Sequence, residues 1–416
     1  MKSIKIRLII MNFFQFAVWG TYLTSMGSYL VQAGLAEYIG MFYAMQGIVS
    51  LFMPALLGII ADRWIPAQRL LSFSHFISAL FMLFTGYYGM EAGNTVEFKW
   101  LFTLYAISVA FYMPTLALAN SVAYTSLDKA NLDTVKHFPP IRIFGTIGFI
   151  CSMWIVDLLG LQENSGQFLA CGTIGIIFAA YALSLPKCPI SKSGENKSLS
   201  EALGLKAFYL FKRKRMAIFF IFAILLGVSL QITNGFANPY ISSFGSLPEY
   251  ANTFGVQHAN ILISLSQMSE TLCILLIPFF LKRFGIKTVM LIAMFAWVLR
   301  FGLFGLGNPG DRVWMFVLSM IVYGVAFDFF NISGSLFVDK ETDKQTRSSA
   351  QGLFVIMTNG LGATIGTLSA QTVVNHFVDF NSTVSQTAQW QMAWYTFATY
   401  ALVVGILFAL IFKNKE

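Results

Sequence analysis

Short polar turns cut the chain into apolar runs of about 20 residues, the length a helix needs to cross a lipid bilayer. Twelve such runs lie near residues 6–30, 38–61, 68–90, 100–126, 137–161, 167–186, 216–244, 256–281, 288–307, 312–338, 348–376 and 391–412. Hydrocarbon offers no water to backbone N–H and C=O groups, so a spanning segment must pair them internally, as a helix does. The pattern predicts an all-α integral membrane protein with twelve transmembrane helices. Composition agrees, with 56% of 416 residues hydrophobic and 11% charged, against about 25% charged in an average soluble domain. The basic head MKSIKIR is like that of a signal peptide, but the apolar run behind it is too long and has no small-residue cleavage site, so it reads as the first span.

An even number of spans places both termini on one side, and charge says which. Apart from Arg142 and Arg300 inside spans, every Lys and Arg but Lys99 and Arg312 falls on the side of the termini. The positive-inside rule makes that side cytoplasmic, in the cytoplasmic (inner) membrane. Trp100, Trp314, Trp390 and Trp394 then fall near the outer interface. Pro186 ends the sixth span, and the polar segment 187–215 divides the chain into an N-terminal six-helix bundle, 1–186, and a C-terminal one, 216–416. Basic turns after the second span of each half, around Asp62-Arg63 and Lys282-Arg283, mark a weak internal repeat. The cluster Lys212 to Arg215 reads as a charge block at the lipid surface. The net charge of +8 is spread over short loops, which points to lipid headgroups and not to nucleic acid. Cys151, Cys171, Cys188 and Cys273 have neither metal-ligand spacing nor a secreted disulfide pattern, and they read as packing residues. No metal and no cofactor is expected, and oligomeric state is not legible.

Glu270 and Asp328 sit within apolar runs long enough to span, where a carboxylate is costly and normally faces a protein interior or a watered cavity. Other polar residues gather with them at helical spacing. Arg142, Thr146 and Phe149 share a face of the fifth span; Gln231 and Asn234 lie three apart on the seventh; Gln267 and Glu270 do so on the eighth; Tyr323, Phe327 and Asn331 share a face of the tenth, with Asp328 one position round. Amides both donate and accept, carboxylates accept from hydroxyls, and aromatic rings cover flat faces, so the set suits a neutral, flat, hydroxylated molecule. Structural uses stand beside this one: amides as interhelical bonds, Arg142 as a snorkelling residue after Pro139-Pro140, rings as core, and an ion pair between Arg142 and the carboxylates. Asp157 and Arg300, toward the outer ends of their spans, read as interfacial or structurally paired. The four histidines, His75, His137, His258 and His376, are scattered with no nucleophile or metal spacing, so an enzyme is not expected.

The stretch GIIADR at 58–63 matches the G-x-x-x-D-R turn between spans two and three of the major facilitator superfamily, although Trp64, Ile65 and Pro66 follow where that pattern continues with Gly and basic residues. Blocks at 13–30 (FFQFAVWGTYLTSMGSYL), 52–64, 138–150 (FPPIRIFGTIGFI), 214–234, 266–281 (SQMSETLCILLIPFFL) and 322–338 (VYGVAFDFFNISGSLFV), in order along nearly the whole chain, closely resemble the nucleoside:proton symporter family of bacterial nucleoside permeases. The resemblance implies the major facilitator fold and proton-coupled nucleoside uptake, with uridine, adenosine or a similar nucleoside as substrate and the lipid bilayer as setting. It also implies that Arg142, Thr146, Phe149, Gln231, Asn234, Gln267, Glu270, Tyr323, Phe327 and Asp328 line the nucleoside site, and that Asp62 and Arg63 steady the closed cytoplasmic side. Between the carboxylates, Gln267 beside Glu270 favours substrate holding. Phe327, Phe329 and Phe330 around Asp328 favour its neutral form, which makes Asp328 the first candidate for proton coupling and Glu270 the second. Arg142, if close, would act with Asp328 as a switch. A sugar or oligosaccharide proton symporter and a non-transporting nutrient sensor are the alternatives.

Overall fold

The structure, a computed structural model, describes residues 2–190, 205–342, 347–382 and 386–412, and no strand occurs among them. Nine helical stretches among the described residues are long and apolar enough to cross a membrane, and Gly166–Ala182 is apolar but shorter. One stretch, Ala259–Leu306, has 48 residues with non-helical Gly285 (φ 76°) inside it. At 1.5 Å per residue it would reach roughly 70 Å, more than twice a hydrocarbon core of about 30 Å. It therefore carries both the eighth and the ninth expected runs. The expected first and seventh runs are interrupted helices, broken by turns at 21–25 and at Gln231.

Two compact units divide the chain: Met1–Leu35 with Ile48–Leu203, and Ala36–Gly47 with Gly204–Glu416. In the first, α1 (Lys2–Gly20), α2 (Met26–Gln32), α3 (Ile39–Ser50, whose later residues belong here), α4 (Met53–Arg63), α5 (Ala67–Ala92), α6 (Phe98–Tyr112), α7 (Thr115–Lys129), α8 (Thr134–Leu158) and α9 (Gly166–Ala182) follow in order. Its apolar core includes Leu8, Leu71, Val122, Leu127, Ile141 and Phe178. The pairs α1–α8 and α5–α9 are its main packed neighbours. At Gly148 a Cβ would collide with the backbone of Phe13, so the missing side chain sets how closely α1 lies on α8. Small residues serve that purpose wherever helices associate within a bilayer.

The second unit holds α10 (Lys214–Leu230), α11 (Ile232–Ser243), α12 (Ala259–Leu306), α13 (Val313–Glu341), α14 (Arg347–Val355), α15 (Ala363–Phe377) and α16 (Thr387–Ile411), with a π-helical stretch at Ile356–Gly362. Residues 36–47 join it because Gln371 donates to the Ala36 carbonyl at 3.0 Å and accepts from the Gly40 amide at 2.5 Å. Trp390 and Trp394 are fully buried, packed on Tyr240 and Phe304, so they are core residues, whereas Trp100 and Trp314 are each 54% exposed. Hydropathy alone does not tell an exposed indole from a core one. The basic cluster also divides: Lys212, Arg213 and Lys214 are exposed, while Arg215 pairs with Glu341 and lies 5.0 Å from the Phe337 ring centroid. Apolar side chains line an exposed face of α12, with Leu272, Leu275 and Phe279 all more than 60% exposed. All four cysteines are free.

Candidate functional site

The first unit brings Arg142, Thr146 and Phe149 to one face of α8, opposite the aromatic face of α1. The Arg142 guanidinium carbon lies 3.8 Å from the Phe16 ring centroid, a cation–π placement that holds a guanidinium against an apolar wall. Thr146 is half-buried one turn on, and buried Phe149 meets Trp19 edge-on at 6.3 Å. The Trp19 Nε1 donor is buried without a hydrogen-bond partner in the protein.

Behind Trp19 runs a buried polar chain that the spacing of the sequence does not reveal. Tyr112, 5.9 Å from the Trp19 ring, donates its hydroxyl to the Gln15 carbonyl at 2.7 Å. The Gln15 amide nitrogen donates to Thr115 Oγ1 at 2.8 Å, and its Oε1 accepts from His75 Nε2 at 2.9 Å, which makes Nε2 the protonated ring nitrogen. His75 reads in the sequence as one of four scattered histidines; its role is to fix the Gln15 amide. The signal available was Gln15 itself, one of two amides, with Asn12, in the first apolar run.

In the second unit the helix breaks at Gln231, between α10 and α11, and Asn234 Nδ2 donates to Gln231 Oε1 at 2.8 Å. The two amides thus orient each other. Gln267 and Glu270 occupy adjacent turns of α12; Gln267 is buried with its Oε1 unpartnered in the protein, and Glu270 is half-buried. On α13 the rings of Tyr323 and Phe327 stack at 5.5 Å and 20°. Asp328 is 5% exposed, with Oδ2 unpartnered in the protein. Gly324, one turn before Asp328, sits against Ser269, which precedes Glu270, so the structure brings to packed turns of α13 and α12 two acids that the sequence places 58 positions apart. Gly324 makes this possible, since a Cβ there would strike the Ser269 carbonyl of α12 at 2.6 Å. Asn331 turns aside and donates to the Phe327 carbonyl of its own helix.

Three other expectations concern Arg300, Asp157 and the Asp62-Arg63 turn. Arg300 is 2% exposed and therefore not interfacial. Asp157 is likewise buried. Arg63 ends α4 with an exposed side chain, and the Asp62 side chain lies outside the described residues.

Polar and carboxylate groups buried in long apolar helices, next to stacked rings, define a helical membrane transporter. The chain belongs to the nucleoside:proton symporter family, whose model, described as Nucleoside H+ symporter, matches residues 1–416. Xanthosine permease of Escherichia coli K12 is 46% identical over 417 residues, covering 100% of this chain and 97% of that protein. Nucleoside permease NupG of the same organism matches at the same identity and coverage. The crystal structure of nucleoside transporter NupG gives a TM-score of 0.89 at 47% identity, covering 99% of this chain and 100% of that one, and a mutant form gives 0.93. The xylose transporter XylE of E. coli, at 13% identity and a TM-score of 0.62, shares the fold alone. These close relatives are permeases, and the chain is a transporter and not an enzyme.

Proposed function

We propose that the protein imports nucleosides across the cytoplasmic membrane together with protons, by alternating access, through twelve spans arranged as bundles 1–186 and 216–416 joined by the loop 187–215, with both termini cytoplasmic. The observation that carries this reading is the presence, on α12 and α13, of unpartnered buried acceptors and an aromatic stack: Gln267 Oε1 on α12, and on α13 Asp328 Oδ2 with the stacked rings of Tyr323 and Phe327. Native proteins leave few buried polar atoms unpaired. A nucleoside supplies what these lack, donors on ribose and base together with a flat ring. The permeases named above support the same substrate class.

In this reading Gln231, Asn234, Gln267 and Glu270 hydrogen-bond the nucleoside, and Tyr323 and Phe327 cover a flat face. Arg142, Thr146 and Phe149 also contact the nucleoside in this reading. Asp328 exchanges the proton, and Asp62 and Arg63 act at the cytoplasmic gate. A pyranose would also satisfy amides and carboxylates, so competition discriminates. In cells expressing the protein, excess unlabelled adenosine should suppress labelled uridine uptake while lactose does not. Suppression by lactose, or saturable uridine binding without accumulation, would favour the sugar symporter or the sensor respectively.

A further inference from the structure

We propose that Arg300 is the positioning residue of the second unit's binding set, holding in register the three helices that carry Gln231 and Asn234, Gln267 and Glu270, and Tyr323, Phe327 and Asp328. The inference rests on the nucleoside-binding reading above and extends it to a residue behind the contact layer.

Arg300 lies on the second half of α12 with its guanidinium enclosed. Nη1 donates to the Ser319 carbonyl at 2.7 Å and reaches Ser266 Oγ at 3.4 Å, and Nη2 donates to Thr233 Oγ1 at 3.1 Å. Ser319 returns a bond from its hydroxyl to the Arg300 carbonyl at 2.9 Å. Each partner is buried and stands next to a binding residue: Thr233 precedes Asn234, Ser266 precedes Gln267, and Ser319 lies one turn before Tyr323. The guanidinium carbon is also 4.5 Å from the Tyr323 ring centroid, and Trp297 meets the same ring edge-on at 5.9 Å. Tyr323 is thereby fixed from one side by Arg300 and Trp297 and stacked with Phe327.

A charge within a membrane span is expensive and normally has a function. Among the described residues the hydrogen-bond partners of Arg300 are all neutral, and it forms no ion pair there. What the site uses is geometry. A planar fork with five fixed donors can address three helices at once, which the compact ammonium of lysine cannot do. Errors of about an ångström in placing polar groups are enough to lose directed hydrogen bonds, so loss of the fork should appear in substrate affinity.

The test is calorimetric binding of uridine to purified wild type, Arg300→Lys, Thr233→Val, the double variant and Gln267→Ala, with thermal stability of each in the same detergent. Arg300→Lys keeps the charge and loses the fork; its Kd should rise about tenfold, as for loss of one to two directed bonds. Thr233→Val should weaken binding less. The double variant should be no weaker than Arg300→Lys alone, because both changes disable one device. Unchanged Kd in Arg300→Lys and Thr233→Val alongside weaker binding in Gln267→Ala would overturn the inference and leave the site standing, as would losses that simply add. If Arg300→Lys does not fold, Thr233→Val decides alone by the same criterion. Unchanged Kd in Gln267→Ala as well would show that the binding set is misplaced, and the inference falls with it.

Discussion

Replacing Asp328 with Asn is expected to abolish gradient-driven accumulation of uridine while leaving uridine binding and counterflow exchange measurable. The substitution nearly preserves shape and keeps a hydrogen-bonding side chain, but an amide cannot take up and release a proton. Asp328 is 5% exposed, flanked by fully buried Phe329 and Phe330, and has one carboxylate oxygen without a protein partner. Its charge state can change only by proton exchange, and α13 packs there, at Gly324, on the turn of α12 that carries Glu270. In the proposed reading a proton event on α13 is thereby linked to the acid on the neighbouring turn of α12. An intramembrane carboxylate so placed is by default part of an ion or proton path. Retained accumulation by Asp328→Asn, or uncoupled behaviour in Glu270→Gln alone, would move the proton to another residue.

Alanine at Gln231, Asn234, Gln267 or Glu270, one at a time, is expected to weaken uridine binding about tenfold or more at normal expression. Removing one partner of a buried hydrogen bond leaves the other unsatisfied, a loss of about 1 to 3 kcal/mol and more for a charged group, and each 1.4 kcal/mol or so is tenfold in affinity. Gln267 and Glu270 should give the plainest losses. Gln231 and Asn234 bond each other at 2.8 Å, so removing either also releases its neighbour. Calorimetry on the purified variants measures the effect. Unchanged affinity across all four, with lowered thermal stability, would identify these amides and the acid as interhelical bonds.

The two sets of polar residues were legible because a polar side chain in an apolar run stands out, and three- and four-residue spacing places pairs on one face. What joins those faces was not legible. The approach of α13 to α12 beside the two acids depends on Gly324 lying against the Ser269 carbonyl, and nothing in the run around Gly324 marks it from other glycines. Arg300 sits where a snorkelling residue would sit, and only the arrival of Thr233, Ser266 and Ser319 from other turns and helices shows it enclosed. Gln15 and His75 are separated by 60 positions and meet because α1 and α5 both pack against α9. The break at Gln231 has neither Gly nor Pro at the break itself, so apolar length alone predicted a continuous helix there.

The most direct test is accumulation of labelled uridine by the purified protein in proteoliposomes with an imposed inward proton gradient. Uridine should rise inside above its equilibrium level, more steeply as the outside is made more acidic, and the excess should collapse on adding a protonophore. Accumulation that follows a sodium gradient and ignores the protonophore would contradict proton-coupled nucleoside import.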